Sequence, residues 1–189
     1  MKLLALLLLS LPVLGQSLAP DTSFLQPVSV KYPLPDNVED TQLKKVVVNY
    51  DDIVYVLSDK GLYRVLDGQL VRDNGYRPLA DKIPVDICTQ EESNYLYYLY
   101  EDQFLTNAHA GEPYAHLPEG QYHQLAVNRV GNVLVAGNQQ SALYHNDDWE
   151  MIADLDAEIQ SIQCHDGQFY ALASSGIYQL SGTQWKLFH

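Results

Sequence analysis

The chain has 189 residues and a formal net charge of -13, from 24 Asp and Glu residues against 11 Lys and Arg residues. Nucleic acids and anionic membrane surfaces both require a basic surface, so this balance argues against either as a partner. The length suffices for one domain with a buried core.

Residues 1–15 read as a secretory signal peptide. Lys2 gives a positive start, an almost wholly apolar run follows, and residues 13–15 have the small-residue spacing of a signal-peptidase site. The apolar run is shorter than the roughly 20 residues of a membrane span. Cleavage after Gly15, or alternatively after Ser17, is therefore favoured over an uncleaved anchor. We expect an exported protein, periplasmic or extracellular, with no membrane span in the mature chain.

Residues 16–42 are predicted to form an extended lead-in, because prolines punctuate them and remove backbone donors. Within this lead-in, residues 28–32 alternate apolar and polar side chains and are stopped by Pro33. This pattern predicts one short strand.

Residues 125–152 contain four short apolar runs separated by Gly, Asn, Asp and Ser turns, which predicts a four-stranded antiparallel meander. The unit recurs, because its second strands align Tyr55, Tyr97, Leu134 and Tyr170 at steps of 42, 37 and 36 residues. Four strands at this period are typical of propeller blades, whereas helical repeats show apolar spacings of three and four. We therefore predict an all-β chain, a β-propeller of about four four-stranded antiparallel blades, at about 43–73, 83–118, 122–153 and 158–189.

The fourth repeat bears on the number of blades. Residues 184–188 already supply its last strand, so the strand predicted at 28–32 has no incomplete blade to join. Four blades can close a ring at the lower limit of the known range. The leftover strand instead favours an incomplete, truncated propeller that continues in further blades or a downstream domain. Such a fragment would expose apolar flanks on its first and fourth blades and would be marginally stable or associate.

The amino-acid sequences of three repeats resemble those of a known family. These repeats, GLYRVLDGQLV (61–71), NVLVAGNQQSALYHNDDWEMI (132–152) and GIYQLSGTQWKLF (176–188), are similar to the blades of two-component-regulator propellers. The resemblance implies an extracytoplasmic sensor that detects glycans or their breakdown products. The chain departs from the family because its sequence contains no kinase, DNA-binding or transmembrane segment, so a signalling output is not predicted. The second repeat also loses the Gly and Tyr of the third-strand signature, at residues 103–105.

The two cysteines, Cys88 and Cys164, fall in the first strands of the second and fourth repeats. Export permits a disulfide. However, first strands line the channel, and bridged Cα atoms lie within roughly 7 Å of each other. The first strands of non-adjacent blades are farther apart than this unless the ring is very small. Two buried free thiols are therefore favoured over a disulfide.

No residue pattern predicts a catalytic, metal or cofactor site. His109, His116 and His123 are spaced by sevens, which on strands does not bring three imidazoles to one metal ion, so loop histidines are the better interpretation. Four acidic pairs could supply an acid and a base. They lie at strand ends, where Asp and Glu serve turns and solubility, and they occupy positions 51–52, 91–92, 101–102 and 147–148.

The chain has 14 tyrosines, several of them in the second repeat. Strand alternation sends Tyr98 and Tyr100 to one face of the sheet and Tyr97 to the other. Packing between blades is the simpler interpretation of these rings, and a sugar-stacking platform is the alternative.

The channel mouth is the expected place for a ligand, in turns between second and third strands and in links between blades. A planar ring, a forked donor, an acceptor and an amide suit a polyhydroxylated ligand. The candidate contacts are Tyr76, Arg77, Asp102 and Asn138.

The sequence is compatible with three classes of function. The leading hypothesis is an exported propeller that binds or senses a carbohydrate or another small extracellular ligand and is not catalytic by itself. The alternatives are part of a propeller-fold polysaccharide lyase or glycoside hydrolase, and a scaffold that binds proteins through its rim. Fold alone does not rank these three.

Overall fold

A computed structural model describes residues 32–33, 41–74, 79, 81–108 and 115–188. The predicted signal peptide, most of the predicted lead-in and most of the strand expected at 28–32 lie outside these residues. In the part of the chain that is described there is no α-helix.

Sixteen strands make up the described fold, and nearly all are short, as expected from the frequent turn residues. Their bounds are β1 Leu43–Val48, β2 Val54–Ser58, β3 Gly61–Leu66, β4 Gln69–Asp73, β5 Asp86–Thr89, β6 Leu96–Leu99, β7 Gln103–Thr106, β8 Ala115–His116, β9 Gln124–Val127, β10 Val133–Ala136, β11 Ser141–His145, β12 Asp148–Ile152, β13 Ile159–His165, β14 Gln168–Ala173, β15 Gly176–Ser181 and β16 Gln184–Leu187.

The strands form four antiparallel sheets of four, each built from consecutive strands. Blade 1 contains β1–β4, blade 2 contains β5–β8, blade 3 contains β9–β12 and blade 4 contains β13–β16. The prediction of a β-propeller with four-stranded antiparallel blades is therefore confirmed. Blade 4 also has its own last strand, β16, as the sequence predicts.

The tight turns explain the acidic pairs. Asp52, Glu92 and Asp147 each adopt a positive φ, of 60°, 56° and 62°. Asp and Asn tolerate this left-handed conformation better than most residues. The positive φ of both Asn146 and Asp147 fits the two-residue hairpin between β11 and β12. The pairs at 51–52, 91–92 and 147–148 thus lie in or directly beside turns at strand ends, as their structural interpretation predicts.

The core consists of apolar clusters between consecutive blades, because a sheet that is apolar on both faces must be covered on both. In each blade we define the leading face as the one towards the preceding blade and the trailing face as the one towards the next. Tyr98 and Tyr100 lie on the leading face of blade 2, against Tyr55 and Leu57. Tyr97 lies on its trailing face with Phe104. The predicted alternation of these tyrosines and their packing between blades are confirmed.

The two outermost faces of the described blades are less well covered. Val46 and Val48 are exposed on the leading face of blade 1, and Leu172 and Ile177 are exposed on the trailing face of blade 4. No apolar cluster joins blade 4 to blade 1 within the described residues. The four blades therefore form an incomplete propeller with two exposed apolar flanks, as predicted for such an arrangement.

Candidate functional site at the central channel

All four first strands contribute to one central cavity of about 650 Å³. Each first strand contributes polar residues at or near its start to the lining of this cavity, and apolar residues of the same strands enter the interblade core. The main polar lining residues are Lys44, Lys45, Asp86, His123, Gln124, Asn138, Glu158, Gln160 and Gln163.

Asp86 holds the wall of this cavity together. Its buried carboxylate Oδ2 accepts hydrogen bonds from Lys45 Nζ at 2.7 Å and from the backbone N–H of Leu125 at 2.8 Å. These partners lie in blades 1 and 3, so one side chain of blade 2 joins three blades. Burial raises the pKa of Asp86 above its ordinary value, because desolvation outweighs the opposing effects of the Lys45 charge and the hydrogen bonds.

A second cavity of about 270 Å³ adjoins the first, since both are lined by His123 and Asn138. The remaining lining of the second cavity is Gln121, Gln139, Gln140 and Asp154. Among the described residues, neither lining includes a Phe, Tyr or Trp ring. The pair of cavities, called here the channel mouth, therefore offers carboxamides, which both donate and accept hydrogen bonds, rather than a stacking surface.

The opposite end of the channel is narrower. A cavity of about 200 Å³ lies there, and it shares Lys45 and Gln163 with the channel mouth. Glu91 in the β5–β6 turn reaches across from blade 2 to blade 4, where its Oε2 accepts from the backbone N–H of Gly167 at 2.9 Å and from the Cys164 thiol at 3.3 Å. This bridge spans the narrow end, so the wide end offers the larger opening to a ligand.

Cys88 and Cys164 both line the narrow cavity, and both are free. Free thiols agree with the prediction, but Cys164 is half-buried rather than buried, because it lies where β13 runs into its turn. Burial raises the pKa of the Cys88 thiol well above its ordinary value. Burial, followed by the hydrogen bond to Glu91 and its charge, raises the pKa of Cys164 to about 12.

Both thiols are expected to resist modification in the native protein, because the thiolate is the reactive form and a raised pKa keeps it scarce at pH 8. Titration with a chromogenic disulfide reagent should give little reaction natively and two thiols per chain after unfolding in guanidinium. The variants Cys88→Ala and Cys164→Ala serve as controls that assign any residual signal. Rapid native labelling, or the mass of an intramolecular disulfide, would contradict the prediction.

The four predicted ligand contacts differ in where the structure places them. Asn138 lines both cavities of the channel mouth. Asp102 lies in the exposed β6–β7 turn, where its carbonyl accepts from Leu117 N, and it does not line the channel mouth. Tyr76 and Arg77 lie outside the described residues.

Sequence reasoning missed the first-strand residues of the channel mouth, such as Lys44 and Gln160. The signal that could have found them is the polar residue at or near the start of each first strand.

Among the described residues, His116 and His123 do not meet at one metal centre. His123 lines the channel mouth, while His116 lies on β8, the outermost strand of blade 2. His109 lies outside the described residues. Among the described residues no group of three or more His, Cys, Asp or Glu side chains could hold a metal ion.

No protein-family model and no curated protein matches this chain. Solved structures with propeller folds do match it. A catalytically inactive virginiamycin B lyase from Staphylococcus aureus, crystallised with quinupristin, has 14% identity and a TM-score of 0.57, over 77% of this chain and 53% of that one. The extracellular domain of a hybrid two component system from B. thetaiotaomicron has 13% identity and a TM-score of 0.55, over 82% of this chain and 22% of that one.

A third match, YCF48 bound to a D1 peptide, has 12% identity and a TM-score of 0.54, over 82% of this chain and 56% of that one. The chain thus spans about half the length of two of these structures and about a fifth of the third. Fold and matches together define a β-propeller protein. The propeller of a two-component system is among the structures that this chain resembles, in agreement with the sequences of its repeats. In the described part of the chain, no helix has the length and apolar character needed to cross a bilayer.

Proposed function

We propose that this chain is an exported β-propeller module that binds a carbohydrate at the channel mouth and has no catalytic activity of its own. The observation that carries the proposal is the convergence of polar side chains from all four first strands on one cavity of about 650 Å³. This volume is in the range of small-molecule sites, about 300–1,000 Å³. Export is supported by the apolar leader at residues 1–15 and by the resemblance to an extracellular domain.

The chemistry of the lining supports a hydroxyl-rich ligand. Gln124, Asn138, Gln160 and Gln163 supply amide donors and acceptors from blades 3 and 4. The cationic Lys45 is already paired with Asp86, and the exposed Lys44 and Glu158 carry opposite charges. Because no Phe, Tyr or Trp ring of the described residues lines the channel mouth, we expect recognition through hydrogen bonds rather than stacking.

Replacing Asn138 by alanine is expected to weaken carbohydrate binding about 5- to 30-fold, because one or two hydrogen bonds worth about 1 kcal/mol each are lost. The experiment screens the mature chain against neutral and acidic oligosaccharides. It then measures the affinity of the best binder by calorimetry for wild type and Asn138→Ala.

The matched control is Gln69→Ala, which removes an exposed amide from β4, far from the channel. This variant should bind like the wild type. Absence of binding to every oligosaccharide, or equal affinity of Asn138→Ala and wild type, would count against the proposal.

A further inference from the structure

We propose that two copies of this chain associate head to tail, with the trailing face of blade 4 in each copy packed on the leading face of blade 1 in the other. The two-fold axis of this dimer runs along the channel, so both pairs of exposed flanks are covered at once. The partner copy also completes the channel wall between β13 and β1.

On the leading face of blade 1, only the first strand lacks the cover that its equivalents in the other blades have. Val46 pairs with Val56 and Tyr63 across the sheet, and this row corresponds to Ile87, Tyr98 and Leu105 in blade 2. The first-strand residue of the row is 0%, 1% and 3% exposed in blades 2, 3 and 4, but Val46 is 57% exposed. The three covered equivalents are Ile87, Leu125 and Ile162. Val56 and Tyr63 are themselves buried, so the exposed strip follows β1.

The trailing face of blade 4 shows the same difference. Leu172 pairs with Ile177, as Leu57 pairs with Leu62 in blade 1 and Leu99 with Phe104 in blade 2. Leu57 and Leu99 are fully buried, whereas Leu172 is 46% and Ile177 is 40% exposed. The edge of this face carries Phe188, which contacts Tyr170 at a ring separation of 5.6 Å.

These two faces are the halves of one junction. A trailing face packs on a leading face three times within the described blades, at blades 1–2, 2–3 and 3–4. The two exposed faces are therefore complementary to each other and not to themselves. Because each copy carries both faces, a two-fold dimer covers all four exposed faces and leaves none free to bind a third copy.

The amount of exposed surface suits a dimer. The large apolar residues of the two flanks together expose on the order of 400 Å² per chain, close to the apolar part of a standard interface of about 800 Å² per partner. Those residues are Val46, Val48, Leu172, Ile177 and Phe188.

The test measures the mass of the full mature chain in solution by size-exclusion chromatography with light scattering. The wild type should have twice the chain mass. Val46→Lys disables the leading face and Ile177→Lys disables the trailing face, so each variant by itself should run as a monomer. An equal mixture of the two variants should restore dimers of mixed composition in native mass spectrometry, because one junction between unaltered faces remains.

The matched control is Val130→Lys, at an exposed apolar residue in the turn between β9 and β10. It should remain a dimer. Far-ultraviolet circular dichroism and a cooperative unfolding transition would show that every variant is folded. A monomeric wild type would overturn the proposal and leave further blades as the cover. A dimer that tolerates one of the two flank changes, or a mixture that stays monomeric, would overturn the head-to-tail arrangement.

Discussion

Replacing Phe104 by alanine is expected to lower the free energy of unfolding by about 3–5 kcal/mol, the range for a fully buried aromatic residue. Phe104 is 0% exposed and lies at the junction of blades 2 and 3. Its ring centroid is 5.3 Å from that of Tyr144 and 5.7 Å from that of Trp149, both in edge contacts. Alanine would remove these contacts and leave a cavity that packed strands cannot fill.

The loss should reach beyond one blade, since this ring is where blade 3 rests on blade 2. Denaturation in urea, followed by tryptophan fluorescence, measures the effect. Tyr50→Ala is the control, because this ring is 70% exposed and its removal should cost less than about 0.5 kcal/mol. A similar change for both variants would contradict an interblade core centred on Phe104.

Replacing Asp86 by alanine is expected to cost about 2 kcal/mol, because the buried N–H of Leu125 would lose its acceptor and Lys45 its partner. Asp86→Asn should cost less than about 1 kcal/mol, since the amide oxygen can still accept from Leu125 N. A substantially smaller cost for alanine than for asparagine would contradict the assigned role of this side chain.

The same site should make stability depend on pH. The folded-state pKa of Asp86 is raised above its ordinary value by burial, so the fold favours the protonated form. That contribution is present below the unfolded-state pKa, about 4, and is lost as pH rises through the folded-state value. The stability of wild type relative to Asp86→Asn should therefore fall as the pH rises above about 4. Urea denaturation of both proteins at several pH values measures this difference, and a rising difference would contradict the direction.

Much of the fold could be predicted from the sequence because its signals are local. Alternation with a period of two fixes which side of a strand is apolar, and turn residues fix where strands end. The degenerate third strand of blade 2 was still placed, since Phe104 keeps the apolar position that Leu62 has in blade 1. The exposed apolar flanks of blades 1 and 4 were also predicted, although not the residues that form them, because the last repeat already has its own fourth strand.

The candidate site was predicted less well. Asn138, predicted from its place in a turn between second and third strands, lines the channel mouth, and its contact with a ligand stays a prediction. Asp102, chosen for the same reason, lies in an equivalent turn but outside the channel mouth. Lys44 and Gln160 were overlooked, because a polar residue within a strand is read as solvent-facing when the strand's place in the ring is unknown.

The sequence by itself determined the number of strands, their grouping into blades and the faces that pack between blades, because each depends on residues within about 40 positions of one another. Tertiary structure decided which polar side chains meet at the channel. Lys45 of blade 1 and Gln163 of blade 4 line the same cavities although more than a hundred residues separate them. Their proximity depends on the rotation angle between consecutive blades about the propeller axis. That angle arises from side-chain packing at three separate junctions, and a repeat pattern does not encode it.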